Sequence, residues 1–395
     1  MNKILIVTPR FPYPVIGGDR LRIFNICKEL AKKYELILVS LCETPSELNY
    51  PVPQDGVFSE VHRVMLPTWK SRLNTLLTMV NVFKRTPLQI AYYRSDEFQQ
   101  LVNSKARECQ LLLAHLVRTS EYIVKLPQPK VVEMTDAISM NYERVRQVAG
   151  KAGLKNFIYS LEQNRLNCYE RQLIEKIDLA VFVSKVDKEY LYKNNYDDKV
   201  LVCSNGVDMS SYTNSEKNDS KRLVFIGNMN SVQNMDAALW FASKVMPVLR
   251  QHGDYTFVVI GRIQESSIKS LLQYPGVEVT GEIEDIGHYT VPALAGICSV
   301  RLGAGVQNKV LEYMAHGIPA IVSSVGYEGI HAQPDRDLII AESVDDYVQA
   351  VLKLNSNQDY YQRISLNGKA FIARNQSWAM QLQPFVEQID KLIEG

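Results

Sequence analysis

Lys309 and Glu312 stand three residues apart, behind the small-residue loop Gly303-Ala304-Gly305 and within the run Asn308-Lys309-Val310-Leu311-Glu312-Tyr313-Met314. An apolar run from Ile297 to Leu302 precedes the loop, and Gly317-Ile318-Pro319 leads into another from Ala320. The pattern reads as strand, tight loop, helix and strand. On such a helix the two side chains share a face. An ammonium group neutralises phosphate, and a carboxylate accepts hydrogen bonds from hydroxyls. Glycines let backbone approach a ligand closely, and a helix N-terminus presents unpaired N–H groups with partial positive charge. A nucleotide sugar offers diphosphate and ribose together, so the spacing points to that ligand. The plainer alternative is a unit whose glycines serve packing and whose Lys309 and Glu312 are solvated.

Other residues have the right types at suggestive places. Gly17-Gly18 follow the first apolar run and precede a helix expected from Asp19, so their N–H groups suit an anion. His115 closes Leu111-Leu112-Leu113-Ala114-His115, at the carboxyl end of an expected strand, where parallel sheets present groups to ligands. Glu133 and Asp136 follow an expected strand, Pro129 to Val132, and either face the same ligand or cap the next helix. Asp335-Arg336-Asp337 has the form of a metal-bridging pair but precedes its strand, and reads as a surface turn. The sequence has no P-loop, G-x-S-x-G or H-E-x-x-H pattern, which leaves phosphate ligation by glycines, a helix terminus and Lys309 as the economical scheme.

These groups need a scaffold. The strand 3–8, a Pro/Gly loop, a helix over 19–33 and a strand over 35–41 make a βαβ opening. Apolar runs at 110–116, 130–134, 178–183 and 200–203 continue a parallel-sheet alternation. Polar breakers over 204–221 read as an interdomain linker. The alternation restarts with a strand at 222–227, a helix over 234–250, strands at 255–261 and 277–281, the Lys309 block and a strand at 337–341. A closing helix runs from Trp378, with Leu382, Phe385, Ile389 and Leu392 at helical spacing. The domain reading is 1–205 and 206–376, with 377–395 as the closing helix. Two doubly wound domains with a cleft between them form the expected ligand site.

Composition narrows the class. With 395 residues and 46% hydrophobic content, two globular domains are expected. A formal charge of +1 argues against a nucleic-acid partner. The six cysteines lack metal or redox spacing and read as reduced core thiols of a cytoplasmic protein. The segment 142–175 reads as an amphipathic, solvated helix face. Residues 69–94 combine apolar side chains with Lys70, Arg72, Lys84 and Arg85. They suit either core packing with snorkelling cations or peripheral contact with an anionic membrane at its inner face.

Several motifs in order carry a resemblance: Pro12 to Arg22, Val183-Ser184, Asn205-Gly206-Val207-Asp208, Phe225-Ile226-Gly227-Asn228-Met229-Asn230, Asn234 to Phe241, Val259-Ile260-Gly261-Arg262, Gly281 to Asp285, and the Lys309 block through Gly326-Tyr327-Glu328-Gly329. They resemble the retaining glycosyltransferases of family four over nearly the whole chain. That family has the GT-B fold, α/β, with two Rossmann-like doubly wound parallel-sheet domains facing a cleft.

The resemblance implies that Gly17 and Gly18 cradle the donor diphosphate, that Lys309 helps neutralise it, that Glu312 holds the ribose and that His115 lies near the reacting sugar. It places Gly227, Asn228, Arg262, the loop Gly303, Ala304, Gly305, and Asn308 on the donor side, and Glu284 and Asp285 beside the nucleobase. Ala304 stands where many relatives carry the first Glu of E-x7-E, and Gln233 where a basic residue is common; the Gly-Ala-Gly form looks like a recognised branch. The implied activity is transfer of a sugar from a nucleoside-diphosphate sugar to a hydroxyl of a saccharide or lipid-linked saccharide, with retention and without metal or other cofactor, in cell-surface polysaccharide or glycan assembly. A sugar-nucleotide epimerase and a non-catalytic nucleotide-sugar-binding partner are the rival readings.

Overall fold

The structure is a computed structural model describing residues 1–80, 86–148, 154–193, 195–207, 221–283, 293–302 and 306–394. The chain divides into two compact units, Met1–Ser204 together with Leu382–Gly395, and Asn205–Gln381.

In the first unit, strands β1 (Lys3–Thr8), β2 (Glu35–Cys42), β3 (Glu60–Met65), β4 (Leu111–His115), β5 (Lys130–Thr135), β6 (Leu179–Phe182) and β7 (Val200–Val202) form one sheet in the order β3-β2-β1-β4-β5-β6-β7. Every pairing is parallel. Ile4–Val7, Leu36–Val39 and Leu111–Ala114 are buried. Continuous apolar runs of this kind belong in a sheet covered on both faces by helices. The winding reverses between β1 and β4, and ligands of open parallel sheets bind outside the carboxyl ends of strands at such a point. The residues that follow β1 and end β4 therefore matter most.

The second unit repeats the plan with β8 (Arg222–Ile226), β9 (Thr256–Ile260), β10 (Val277–Gly281), β11 (Ala295–Cys298), β12 (Ala320–Val322) and β13 (Ile339–Ile340), in the order β10-β9-β8-β11-β12-β13. Its pairings are also parallel, and its winding reverses between β8 and β11. Phe225, Phe241, Phe257, Tyr313 and Tyr347 fill the core between this sheet and its helices.

Several boundaries differ from the sequence expectation. The strand expected over 297–302 is Ala295–Cys298, because β11 pairs with β8 at Ala295 and Gly296, while Ser299–Leu302 lie past the ladder. The helix expected over 234–250 begins at Val232, capped by the Ser231 hydroxyl, and changes to a π turn over Phe241–Val245. Residues 69–94 are not one segment: a helix spans Thr68–Val80 and a second spans Leu88–Tyr92. Likewise 142–175 contains the end of one helix, Ile138–Val148, and the whole of another, Leu154–Leu173. The closing helix is Trp378–Glu394, and its Asp390 bonds to Tyr34 and Lys33. Among the described residues no helix is long and apolar enough to cross a membrane.

Candidate functional site

The second unit holds the Lys309 block. The expected helix is Asn308–Ala315, and among the described residues no side chain caps its N-terminus. Tyr313 fixes the helix: its hydroxyl accepts from Ile226 N at 2.8 Å and donates to Ile297 O at 3.3 Å. A Cβ at Gly296 would lie 2.2 Å from the Tyr313 ring, so only glycine there admits the ring. With Tyr313 buried, Lys309 reaches Phe225 of β8.

Lys309 is not a solvated cation. It is 7% exposed, its Nζ donates to Asn234 Oδ1 at 2.6 Å, and it lies 4.3 Å from the centre of the Phe225 ring. Burial pulls its pKa below the ordinary lysine value, against the raising influence of Cys298 and Glu312. Glu312 is partly buried, and desolvation pushes its carboxyl up to about 7 although Lys309 draws it down. A desolvated ammonium with a neutral amide and an aromatic face as partners retains strong attraction for an incoming anion.

Asn234 is itself placed. Its Nδ2 donates to Asn228 O at 3.1 Å, and a Cβ at Gly227 would meet that Nδ2 at 2.9 Å. Gly261 has φ +130°, and a Cβ there would lie 2.0 Å from Gly227 O. Gly261→Ala is therefore expected to lower stability by about 2–4 kcal/mol, through backbone strain plus overpacking. Urea unfolding measures it, and an unchanged midpoint would contradict the packing described.

The first unit holds the second cluster. Gly17, with φ 96° and ψ 152°, precedes helix Gly18–Leu30, whose N-terminus has no side-chain cap. That backbone region is essentially restricted to glycine. Gly17 and Gly18 are both exposed. At the neighbouring strand end, His115 and Glu133 are register partners on β4 and β5. His115 Nδ1 lies 2.7 Å from Glu133 Oε2, and Arg22 Nε donates to Glu133 Oε1 at 2.6 Å. Thr135, at φ 62°, turns its amide and hydroxyl back onto the same carboxylate. Burial alone would raise the Glu133 pKa, but Arg22 and His115 outweigh it and hold the group at about 2.

An ionised Glu133 only accepts, so Nδ1 of His115 carries the proton. Its Nε2 is buried and, among the described residues, lacks a hydrogen-bond partner. Asp19 lies 3.5 Å from Arg10; burial would raise its pKa, yet Arg10, His115 and Arg118 hold it below the ordinary value.

Each unit thus gathers its expected residues at its own switch point: Gly17, Gly18 and His115 beside β1 and β4, and Gly227, Asn228, Asn308, Lys309 and Glu312 beside β8 and the Asn308 helix. Three expectations change. Glu133 does not follow its strand; it lies inside β5, fully buried. Arg262 is spread on the surface against Glu282 at 2.9 Å. Asn308 Oδ1 accepts from Asn205 Nδ2 at 2.6 Å. Glu284, Asp285, Gly303, Ala304, Gly305, Lys84 and Arg85 lie outside the described residues. Arg22, Phe225 and Asn234 were missed as site residues. A charge inside the apolar run Val131-Val132-Glu133-Met134 signals a buried partner, since isolated charges are rarely buried.

The architecture is the GT-B fold. Residues 220–357 match the family model described as glycosyl transferases group 1. Over its full length the chain is similar to sucrose-phosphate synthase from Thermosynechococcus elongatus, at 13% identity and TM-score 0.75 with 100% of each chain covered. It is also similar to HepE of Anabaena, solved with UDP and glucose, at 13% identity and TM-score 0.71, with 99% of this chain and 100% of that one covered. A Klebsiella pneumoniae protein, described as an uncharacterized 44.6 kDa protein in the cps region, is 21% identical, covering 95% of this chain and 96% of its own length.

Proposed function

We propose that the protein is a retaining glycosyltransferase that moves a hexosyl group from a nucleoside-diphosphate sugar to an acceptor hydroxyl in the assembly of a cell-surface polysaccharide. The observation that carries the proposal is the desolvated Lys309 ammonium beside Glu312 in the first turn of an uncapped helix, within the stretch that matches the group 1 glycosyltransferase model. HepE, which binds UDP and glucose, supports a uridine nucleotide as the first donor to try. The Klebsiella relative in the cps region supports polysaccharide assembly.

In this reading the hard step is departure of the nucleoside diphosphate. Lys309 and the helix N–H groups meet its developing charge in place of a divalent metal. Glu312 accepts from the ribose hydroxyls. His115 hydrogen-bonds the transferred sugar through Nε2 and is not a nucleophile. The test is incubation with UDP-, GDP-, ADP- and dTDP-sugars, EDTA and cell-envelope saccharides, followed by product analysis. A glycoside with the donor's anomeric configuration is expected. An inverted product, or a donor epimerised with no acceptor, would replace this reading.

Only the ionised form of Glu312 accepts two ribose hydroxyls. Because its pKa is raised to about 7, nucleoside affinity is expected to fall as pH drops below about 7, approaching tenfold per pH unit. Calorimetry with uridine, which has no phosphate of its own to titrate, measures this. Glu312→Gln should flatten the profile; an unchanged slope would remove Glu312 from the ribose site.

The same reading includes peripheral membrane contact. On helix Thr68–Val80, Trp69, Leu73, Leu76 and Leu77 are 67, 47, 61 and 61% exposed. Their spacing puts them on one face, with Lys70 and Arg72 nearby. Each leucine entering an apolar phase is worth about 1.5–3 kcal/mol, so Leu76→Glu/Leu77→Glu should weaken sedimentation with anionic liposomes more than tenfold. Equal sedimentation of both proteins would exclude the helix as the contact.

A further inference from the structure

A cavity of about 330 Å³ opens in the first unit, lined by Arg10, Glu43, Thr75, Tyr92, Tyr93 and Arg118 among others. Arg10 comes from the loop after β1, Glu43 from the loop after β2, and Arg118 from the turn after β4. The cavity therefore sits along the carboxyl edge of the sheet, beside the switch point.

Its charges are unevenly satisfied. Arg10 has Asp19 at 3.5 Å. Arg118 donates through Nε to the neutral Gln89 Oε1 at 3.1 Å and stands 5.6 Å from the centre of the Tyr93 ring. Among the described residues it has no carboxylate within ion-pair distance. Asp19 and Asp136 interact with Arg118 electrostatically from beyond ion-pair distance; Asp19 is already paired with Arg10, and burial, Asp187 and Glu133 push the Asp136 carboxyl up. A guanidinium stacked on a phenol, with its terminal N–H groups uncommitted among the described residues, is suited to bidentate recognition of a carboxylate or phosphate. Tyr92 and Tyr93 meet edge to face at 5.0 Å and give the cavity an aromatic wall of the kind that packs against sugar rings. Glu43 supplies an acceptor for hydroxyl groups. An uncharged glycan would use the tyrosines and Glu43 and leave Arg118 unmatched.

We propose that this cavity binds an acid-bearing saccharide, a uronate or a sugar phosphate, with Arg118 and Arg10 on the acid group, the tyrosines against the ring and Glu43 on a hydroxyl. Its role as the acceptor rests on the glycosyltransferase reading; its binding does not.

The experiment is saturation-transfer NMR on the full chain without nucleotide, using glucuronate, glucose 1-phosphate and methyl glucoside as probes, repeated on Arg118→Gln, Arg118→Lys and Lys309→Ala. At least one charged probe is expected to bind about tenfold or more tightly than methyl glucoside, as charge-assisted pairing allows. Arg118→Gln should abolish that advantage, Arg118→Lys should keep part of it, and Lys309→Ala should leave it intact. Preference for glucuronate assigns a uronate, preference for glucose 1-phosphate a phosphate, and equal binding of both assigns recognition to the acid alone. Three results overturn the proposal: no advantage for either charged probe, no binding of either, or an advantage that survives Arg118→Gln and disappears in Lys309→Ala. The wild-type comparison decides even if an Arg118 variant does not fold. Charged-probe binding by a protein that binds no nucleotide sugar would leave the cavity assigned and remove the transferase reading.

Discussion

Lys309→Ala is expected to lower sugar transfer by ~10²–10³, the usual consequence of removing one donor aimed at developing charge. The cation is pre-desolvated: it is 7% exposed and held by Asn234 and Phe225. Little solvent has to be displaced when the diphosphate arrives, so more of the Coulomb attraction reaches the leaving group. The loss should appear in donor affinity as well as turnover, because both ground state and transition state carry negative charge there. Asn234→Ala should act in the same direction more weakly, by freeing Lys309 to move while leaving its charge. Steady-state kinetics with the donor found by the panel measures both. Equal kcat/KM in wild type and Lys309→Ala would mean that the diphosphate does not meet this side chain.

The second large effect is on the fold. Arg22 and Glu133 are both 0% exposed and joined at 2.6 Å. Breaking one side of such a pair typically costs about 3–5 kcal/mol, because the remaining charge is left buried. Glu133→Gln keeps volume and removes only the charge, so it isolates this term. Its cost should be largest near neutral pH. The Glu133 carboxyl falls from an ordinary 4.5 to about 2 on folding, so its contribution is fully present above about pH 4.5 and is lost as pH falls toward 2. The variant should therefore lack the part of the acid limb that wild type shows in that window. Urea unfolding across pH tests both statements. A midpoint shifted by less than about 1 kcal/mol would contradict a tightly coupled pair. His115 should report the change too, since the neutral amide introduced by Glu133→Gln no longer demands a proton on Nδ1.

The alternation of apolar runs made most of both sheets legible from sequence, because strands buried on both faces must be continuously apolar; the edge strand β3, only partly buried, was missed. The extent of each strand was less legible. β11 ends at Cys298 although the apolar run continues to Leu302, since its bounds depend on β8 and β12, which are remote in sequence. The Lys309 block was recognisable from local spacing, as glycine, helix start and a three-residue interval are all short-range properties. The partners of Lys309 were not, because Asn234 is 75 residues away and only the parallel crossover brings it near. His115 was found from its place at a strand end. Glu133 was noticed, but its pairing with His115 and with Arg22 was hidden, since it requires knowing that β5 lies next to β4 and that helix Gly18–Leu30 brings Arg22 to Glu133.

The most direct measurement is thermal stabilisation of the full chain by a panel of nucleoside diphosphates and their sugars, with Lys309→Ala and Glu312→Ala alongside. A ligand at one hundred times its Kd adds about 2.7 kcal/mol, enough to raise the melting temperature by several degrees. The expected result is stabilisation by one base's diphosphate and its sugar, lost in both variants. No shift by any of them at millimolar concentration, or a shift unchanged in both variants, would contradict a nucleotide-sugar site at Lys309 and Glu312.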